Sequence, residues 1–301
     1  MDSRITQSRY GRGNGVLLTA EGASLEPLEK AEVLGLLKEA GFIVFRGFDA
    51  NLDTFSSFVQ RLSARVTLDP ARQFHGAVAQ KVDAGYDAIG LHCENSNTPF
   101  LPHLCWFFCE KAASAGSQTT VCDGYSVWEA LTPATRERFL AQPIQYSRHV
   151  EAMKWKGFVF HSLQGRKPFA QIEFSDLQAL HDGHTDASAE LKPDGSIHYA
   201  FRVPAAHRTL FGQRLAFANS ILGPSYNYEK PKITFADGSP IPESILEELA
   251  QVFEAHTEDI DWRDGEVVVI DNTRVMHGRR AIQDPQRTIY NALSYIGQGG
   301  V

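Results

Sequence analysis

Residues 262–279 read Trp262-Arg263-Asp264-Gly265-Glu266-Val267-Val268-Val269-Ile270-Asp271-Asn272-Thr273-Arg274-Val275-Met276-His277-Gly278-Arg279. Glu266 to Asp271 is a β-branched run, which suits a pleated strand better than a helix. The strand runs into an Asp-Asn turn, and a histidine followed by glycine stands a few residues on. Gly278 lets the backbone pass close to a bulky centre. Taken alone, His277 reads as a structural histidine. What lies upstream changes that reading.

Upstream is Leu91-His92-Cys93-Glu94. Residues i and i+2 of a strand point to one face, so His92 and Glu94 present an imidazole and a carboxylate side by side. Two histidines and one carboxylate, with other positions open, form the facial triad that holds non-haem Fe(II). A rival tripeptide, His184-Thr185-Asp186, lies among polar, turn-like residues. It has no buried strand and no Gly-x-x-Thr after it, so it reads as a solvated loop. His103, His149, His161, His198 and His207 read as structural or surface residues.

Further outward, Leu28 to Ala40 reads as a helix stopped by Gly41. Phe42 to Phe45 reads as a strand, and Asp53 to Ala64 as a helix with Asp53 as N-cap. Residues 1–24 read as an irregular arm, and part of 66–90 as a loop over the site. Asn95 to Pro102 is a loop. Leu104 to Cys109 is apolar on both faces, the mark of a fully buried strand. Thr119 to Cys122 is another strand. Helices are expected over Ser126 to Leu131, over Pro133 to Leu140 with Thr132 as N-cap, and over Pro242 to His256. Short strands are expected at Ile197 to Val203, Leu215 to Ile221 and Arg287 to Ile296. Arg148 to Ser196 is mixed and polar, with a Gly/Asp/His-rich centre, and reads as a mobile lid. The pattern predicts a mainly β chain with helices (α+β): a β-sandwich or jelly-roll core with helical decoration. The 301 residues read as one domain.

Composition narrows the function classes. Net charge is −7 with no Lys/Arg block, which argues against nucleic acid as partner. No apolar run approaches the roughly 20 residues of a membrane span. Met1 to Gly15 has no apolar stretch of a secretory signal, so a cytoplasmic protein is expected. Cys93, Cys105, Cys109 and Cys122 fit a zinc site poorly and read as buried free thiols. The sequence admits a homo-oligomer.

Glu266 to Arg279, with Arg287 after it, resembles the C-terminal signature of the taurine dioxygenase-like (TauD/TfdA) family. These are Fe(II)- and 2-oxoglutarate-dependent oxygenases on a double-stranded β-helix. His92-x-Glu94 resembles the family's His-x-Asp/Glu. Gly116-Ser117-Gln118-Thr119 resembles its Gly-Gly-x-Thr, and Phe42 to Phe48 an N-terminal strand. The resemblance covers roughly residues 28 to 297.

The resemblance implies His92, Glu94 and His277 as iron ligands and Arg287 as clamp on the far carboxylate of 2-oxoglutarate. A planar guanidinium suits that task through paired, charge-assisted hydrogen bonds. Thr119 would add a hydroxyl to the same carboxylate; the adjacent Thr120 points to the opposite face, so only one of the two can do it, and the match to the motif favours Thr119. Fe(II), 2-oxoglutarate and O2 are the implied cofactors, and a small molecule the implied substrate. An unactivated C–H bond would be oxidised, by hydroxylation as the default, with succinate and carbon dioxide released. Desaturation, epoxidation or cyclisation are alternative outcomes. Glu in place of the commoner Asp resembles the clavaminate synthase branch. It disfavours halide chemistry, which needs that position open. Asn291 stands where some relatives carry a second arginine for an anionic substrate, which points toward natural-product tailoring. Asn95 and Asn97 are candidates for reading the substrate. The competing reading is a non-catalytic or 2-oxoglutarate-independent metal-binding protein of cupin type, which would need no dicarboxylate clamp.

Overall fold

The computed structural model describes residues 4–67, 74–75, 78–82, 85–223 and 230–297. Part of the loop expected over the site (68–73, 76–77 and 83–84) lies outside them.

The strand that opened the sequence reading stands at the centre of a nine-stranded sheet. Glu266–Asp271 pairs antiparallel with Phe42–Phe48 on one side and Leu104–Lys111 on the other; Thr288–Tyr295 follows beyond. Alternation divides its side chains between two cores. Val267 and Val269 face an outer core with Ile43, Phe45, Trp106 and Phe108, covered by the helices Lys30–Ala40 and Leu52–Leu62. Val268 and Ile270 face inward with Val44, Cys105, Phe107 and Cys109. Both faces are dry, which explains an unbroken apolar run where a half-exposed strand would alternate.

The inward core is closed by a four-stranded sheet in the order Thr257–Ile260, Thr119–Asp123, Val275–Arg279, Ile89–His92. It contributes Ile260, Val121 and Val275 to the same cluster. The architecture is the double-stranded β-helix, with helices added on the outside. All four cysteines are buried free thiols.

Several local readings need correction. The expected arm at 1–24 contains a hairpin: Thr6–Tyr10 pairs antiparallel with Gly15–Ala23, which lies parallel to Phe42–Phe48. Gly11 and Gly13 make its turn at positive φ, and a Cβ on Gly15 would come within 2.2 Å of the Phe42 ring. These glycines shape a turn and a close contact rather than an irregular chain. The second helix is capped by Asn51, not Asp53. The Asn51 carboxamide oxygen accepts from the Asp53 and Thr54 backbone N–H groups, and Thr54 completes the capping box. Of the expected strand 215–221 only Leu215–Ala216 forms. The chain then turns so that Asn219 and Ser220 can meet Cys93. Thr257–Ile260 and Val275–Arg279 are strands that their short polar sequences did not announce.

The stretch 148–196 is built of regular elements. Helices Ala152–Ser162 and Phe174–Leu180 pack with a second four-stranded sheet, ordered Ala187–Leu191, Ile197–Val203, Ile144–Val150, Lys232–Phe235. Among the described residues no helix is long and apolar enough to cross a membrane.

Candidate metal centre

His92 ends the strand Ile89–His92, and His277 sits in the middle of Val275–Arg279, directly opposite it in antiparallel register. The two rings lie 4.5 Å apart, centre to centre. Glu94 Oε1 is 3.9 Å from His92 Nε2 and 3.5 Å from His277 Nε2. All three residues are buried, and one ligand atom from each lies within 4.8 Å of the others. Two imidazole nitrogens and one carboxylate oxygen converging on one point are a donor set suited to Fe(II). The His92 tautomer follows from its neighbour. Nδ1 lies 2.9 Å from the Gly90 carbonyl, which can only accept, so Nδ1 carries a proton and Nε2 is the nitrogen turned toward Glu94.

Glu94 is not on the strand. The strand stops at His92, and Glu94 opens a turn with Asn95 at φ 57°. The i, i+2 argument therefore covers only half the pair. Side chains from distant segments replace the strand's guidance. The fully buried Asn272 accepts the Glu94 backbone N–H on Oδ1 (2.9 Å). Its Nδ2 donates to the Glu94 carbonyl (3.1 Å) and to the Pro102 carbonyl (2.9 Å). Ser220 Oγ donates to the Cys93 carbonyl (3.1 Å), and the Cys93 N–H donates to the Asn219 carbonyl. Asn272 was missed as a site residue. Its only sequence signal was the Asp-Asn turn after the central strand.

The strand pairings sort the neighbours of His277. Arg279 pairs with Thr119, Gly278 with Thr120 and His277 with Val121. Thr119 therefore shares the inward face of His277. Thr120 lies on the other face against Gly278, where an added Cβ would come 2.8 Å from the Thr120 hydroxyl and 2.5 Å from the Ile89 carbonyl. Glycine is required there because two strands approach too closely for a side chain. Thr119 Oγ1 accepts a 2.9 Å hydrogen bond from the indole N–H of Trp262, a partner that sequence reading did not anticipate.

Arg287, just before the strand Thr288–Tyr295, is 8% exposed, and its Nε finds no acceptor among the described residues. Burial, together with the nearby Arg279 guanidinium, lowers its pKa to about 10, only partly offset by Cys109. It stays protonated at neutral pH. A buried, incompletely bonded cation is costly unless an anion joins it, and a carboxylate is such an anion. Asn97 is 5% exposed, and its Nδ2 likewise lacks an acceptor among the described residues. Asn95 is half-buried.

The rival His184 is in a turn, as expected, but half-buried rather than solvated. Its ring packs edge-on against Phe100 at 5.5 Å, while His181 stacks on the same ring at 5.8 Å. Among the described residues the group of donors that could hold a metal ion is His92, Glu94 and His277.

The chain matches the family "Taurine catabolism dioxygenase TauD, TfdA family" over residues 4–293. It is 25% identical over 276 residues to a clavaminate synthase-like protein of Arabidopsis thaliana, covering 84% of this chain and 82% of that one. It is 23% identical over 275 residues to the dapdiamide synthesis protein DdaC of Enterobacter agglomerans, covering 86% and 83%. In fold it resembles PvcB of Pseudomonas aeruginosa, with a TM-score of 0.64 at 15% identity over 98% of this chain and 92% of that one. An enzyme dependent on Fe(II), 2-oxoglutarate and O2, rather than a cupin-type binding module, follows from the match across nearly the whole length: the chain belongs to the TauD/TfdA family of Fe(II)- and 2-oxoglutarate-dependent dioxygenases.

Proposed function

We propose that His92, Glu94 and His277 are the protein ligands of Fe(II), and that Arg287 and Thr119 hold the far carboxylate of 2-oxoglutarate. Asn97, with Asn95 beside it, contacts a small substrate whose C–H bond is hydroxylated in natural-product tailoring. The observation that carries this reading is the convergence of three buried donor atoms within 4.8 Å, in a core that also buries Arg287 with an unbonded Nε. When bound, the metal and 2-oxoglutarate supply the oxidising chemistry, with release of succinate and carbon dioxide.

The chain's own residues orient and exclude. The Gly90 carbonyl fixes the His92 tautomer, and Asn272 holds the Glu94 backbone on both sides. Phe107, 5.2 Å from the His277 ring, keeps the interior side of the ligands dry. The Glu94 carboxylate occupies the position that halide would need, so oxygen transfer is the outcome. The unbonded Asn97 amide favours a substrate with an oxygen acceptor near the reacting carbon. The name of the dapdiamide synthesis relative supports the tailoring context. The whole chain serves as one oxygenase domain. Residues 148–196 form its lid: Phe158, His181 and His184 all pack on Phe100, in the loop that follows Glu94.

The test is anaerobic titration of the Fe(II)-loaded protein with 2-oxoglutarate. A visible charge-transfer band should appear, and His92→Ala or His277→Ala should abolish it. Its absence in the intact protein would sink the assignment. Limited proteolysis with and without the two ligands tests the lid, and unchanged cleavage between 148 and 196 counts against it.

A further inference from the structure

The hydrogen bond between Trp262 and Thr119 has a fixed direction. An indole N–H can only donate, whereas a hydroxyl offers one O–H donor and two acceptor lone pairs. At 2.9 Å Trp262 is the donor and Thr119 Oγ1 the acceptor. The Thr119 proton is therefore left for a different partner. Thr119 is 3% exposed, so bulk water does not supply one.

The surroundings say which partner fits. Thr119 stands opposite Arg279 on the inward face, and Arg279 lies close enough to Arg287 to lower that guanidinium's pKa. The spare Thr119 donor thus shares a face with Arg279, which already donates to the Gly85 and Asp87 carbonyls. The group that can take both the Thr119 proton and the unbonded Arg287 Nε–H is a carboxylate.

Trp262 is itself held in place. Its ring packs edge-on against Phe107 at 6.5 Å, and Phe107 packs against His277 at 5.2 Å. A cavity of about 220 Å³ is lined by Gly116, Ser117, Gln118, Ile260, Asp261 and Trp262 among others.

We infer that Trp262 is a positioning residue for the cosubstrate: by donating to Thr119 Oγ1 it commits the Thr119 hydroxyl to donate to the far carboxylate of 2-oxoglutarate. This rests on the assignment of Thr119 and Arg287 made above. Without the indole N–H, the hydroxyl can rotate to a backbone carbonyl of its own strand, and the carboxylate must turn it back on binding.

The test is calorimetric titration of the Mn(II)-loaded protein with 2-oxoglutarate. One neutral hydrogen bond corresponds to about three- to tenfold in affinity. Trp262→Phe, which keeps a ring and deletes the N–H, should weaken binding by that factor while Mn(II) affinity stays as in the wild type. Thr119→Val should weaken binding as well, and the Trp262→Phe/Thr119→Val double variant should bind no more weakly than Thr119→Val alone. Thr119→Ser should bind like the wild type. Trp262→His, which restores a ring N–H, should recover affinity that phenylalanine loses and so separates the hydrogen bond from the indole's bulk. Wild-type affinity in Trp262→Phe overturns the inference, as does strict additivity of the two single effects. A wild-type protein that fails to bind 2-oxoglutarate overturns the underlying assignment, and this inference with it.

Discussion

Asn272→Ala is the sharpest single probe of how the centre is assembled. The side chain is fully buried and makes three hydrogen bonds to backbone groups. Two of them hold the N–H and carbonyl of Glu94, 178 residues away in sequence. Alanine leaves those groups without partners in a dry setting. At about 1 kcal/mol net per bond, plus the penalty for buried groups left unsatisfied, the apo protein should lose about 3–5 kcal/mol. The metal should suffer separately. Glu94 lies beyond its strand, and Asn272 holds both of its backbone groups beside the two histidines. Loss of a support of this kind typically costs about 10- to 100-fold in metal affinity. Asn272→Asp keeps the acceptor for the Glu94 N–H but sets a carboxylate oxygen against two carbonyls, so it should be worse than alanine. Guanidinium denaturation of the apo protein gives the first quantity, and Co(II) titration, read from its visible absorption, the second. An Asn272→Ala protein that is destabilised yet binds Co(II) like the wild type would refute the claim that Asn272 positions Glu94.

Three other perturbations follow from buried charge. Arg287→Met should abolish the rise in melting temperature that 2-oxoglutarate gives the metal-loaded protein, yet stabilise the apo protein. A guanidinium pKa lowered from 12.5 to about 10 corresponds to a penalty on the order of 3 kcal/mol for keeping it charged; a less stable apo variant would contradict this. Asp271 is held up to about 6, chiefly by burial, with the Thr273 hydrogen bonds pulling the other way. Because its folded pKa is raised, the native state is penalised above about pH 6, and the penalty fades as pH falls toward the ordinary value of about 4. Asp271→Asn should therefore raise the melting temperature at about pH 8 and lose most of that advantage near pH 4; an equal gain at both would show that charge is not the cause. Arg274 grips Asp123 with two hydrogen bonds (3.1 and 2.7 Å) and donates to the Lys38 and Glu39 carbonyls at the end of the first helix. Arg274→Ala leaves a buried carboxylate uncompensated and should cost about 3–5 kcal/mol in denaturant unfolding; a loss under about 1 kcal/mol would mean water reaches the pair.

What could be read from the sequence divides along a physical line. Val267 to Ile270 and Leu104 to Cys109 were legible because a strand buried on both faces has no polar alternation to hide it. The meeting of His92 with His277 was legible from the motif spacing, and the structure sets the two directly opposite each other. The position of Glu94 off the strand was not, because it depends on Asn272, Asn219 and Ser220 arriving from elsewhere. The N-terminal hairpin was illegible for a different reason. Its glycines look the same in a sequence whether they loosen a chain or turn it sharply, and only the Phe42 ring against Gly15 decides.

The interior between the two sheets then shows why core logic finds the frame but not the clamp. Its apolar cluster is made of Val, Ile, Leu, Phe and Cys side chains and one Tyr, as burial favours. Arg287 goes against that rule. Its burial is a cost to the fold, and its Nε finds no acceptor among the described residues. A chain selected for stability alone would place methionine or leucine there. A buried guanidinium whose Nε is unbonded among the described residues is the observation, independent of any motif, on which the proposal that this interior takes in a carboxylate rests.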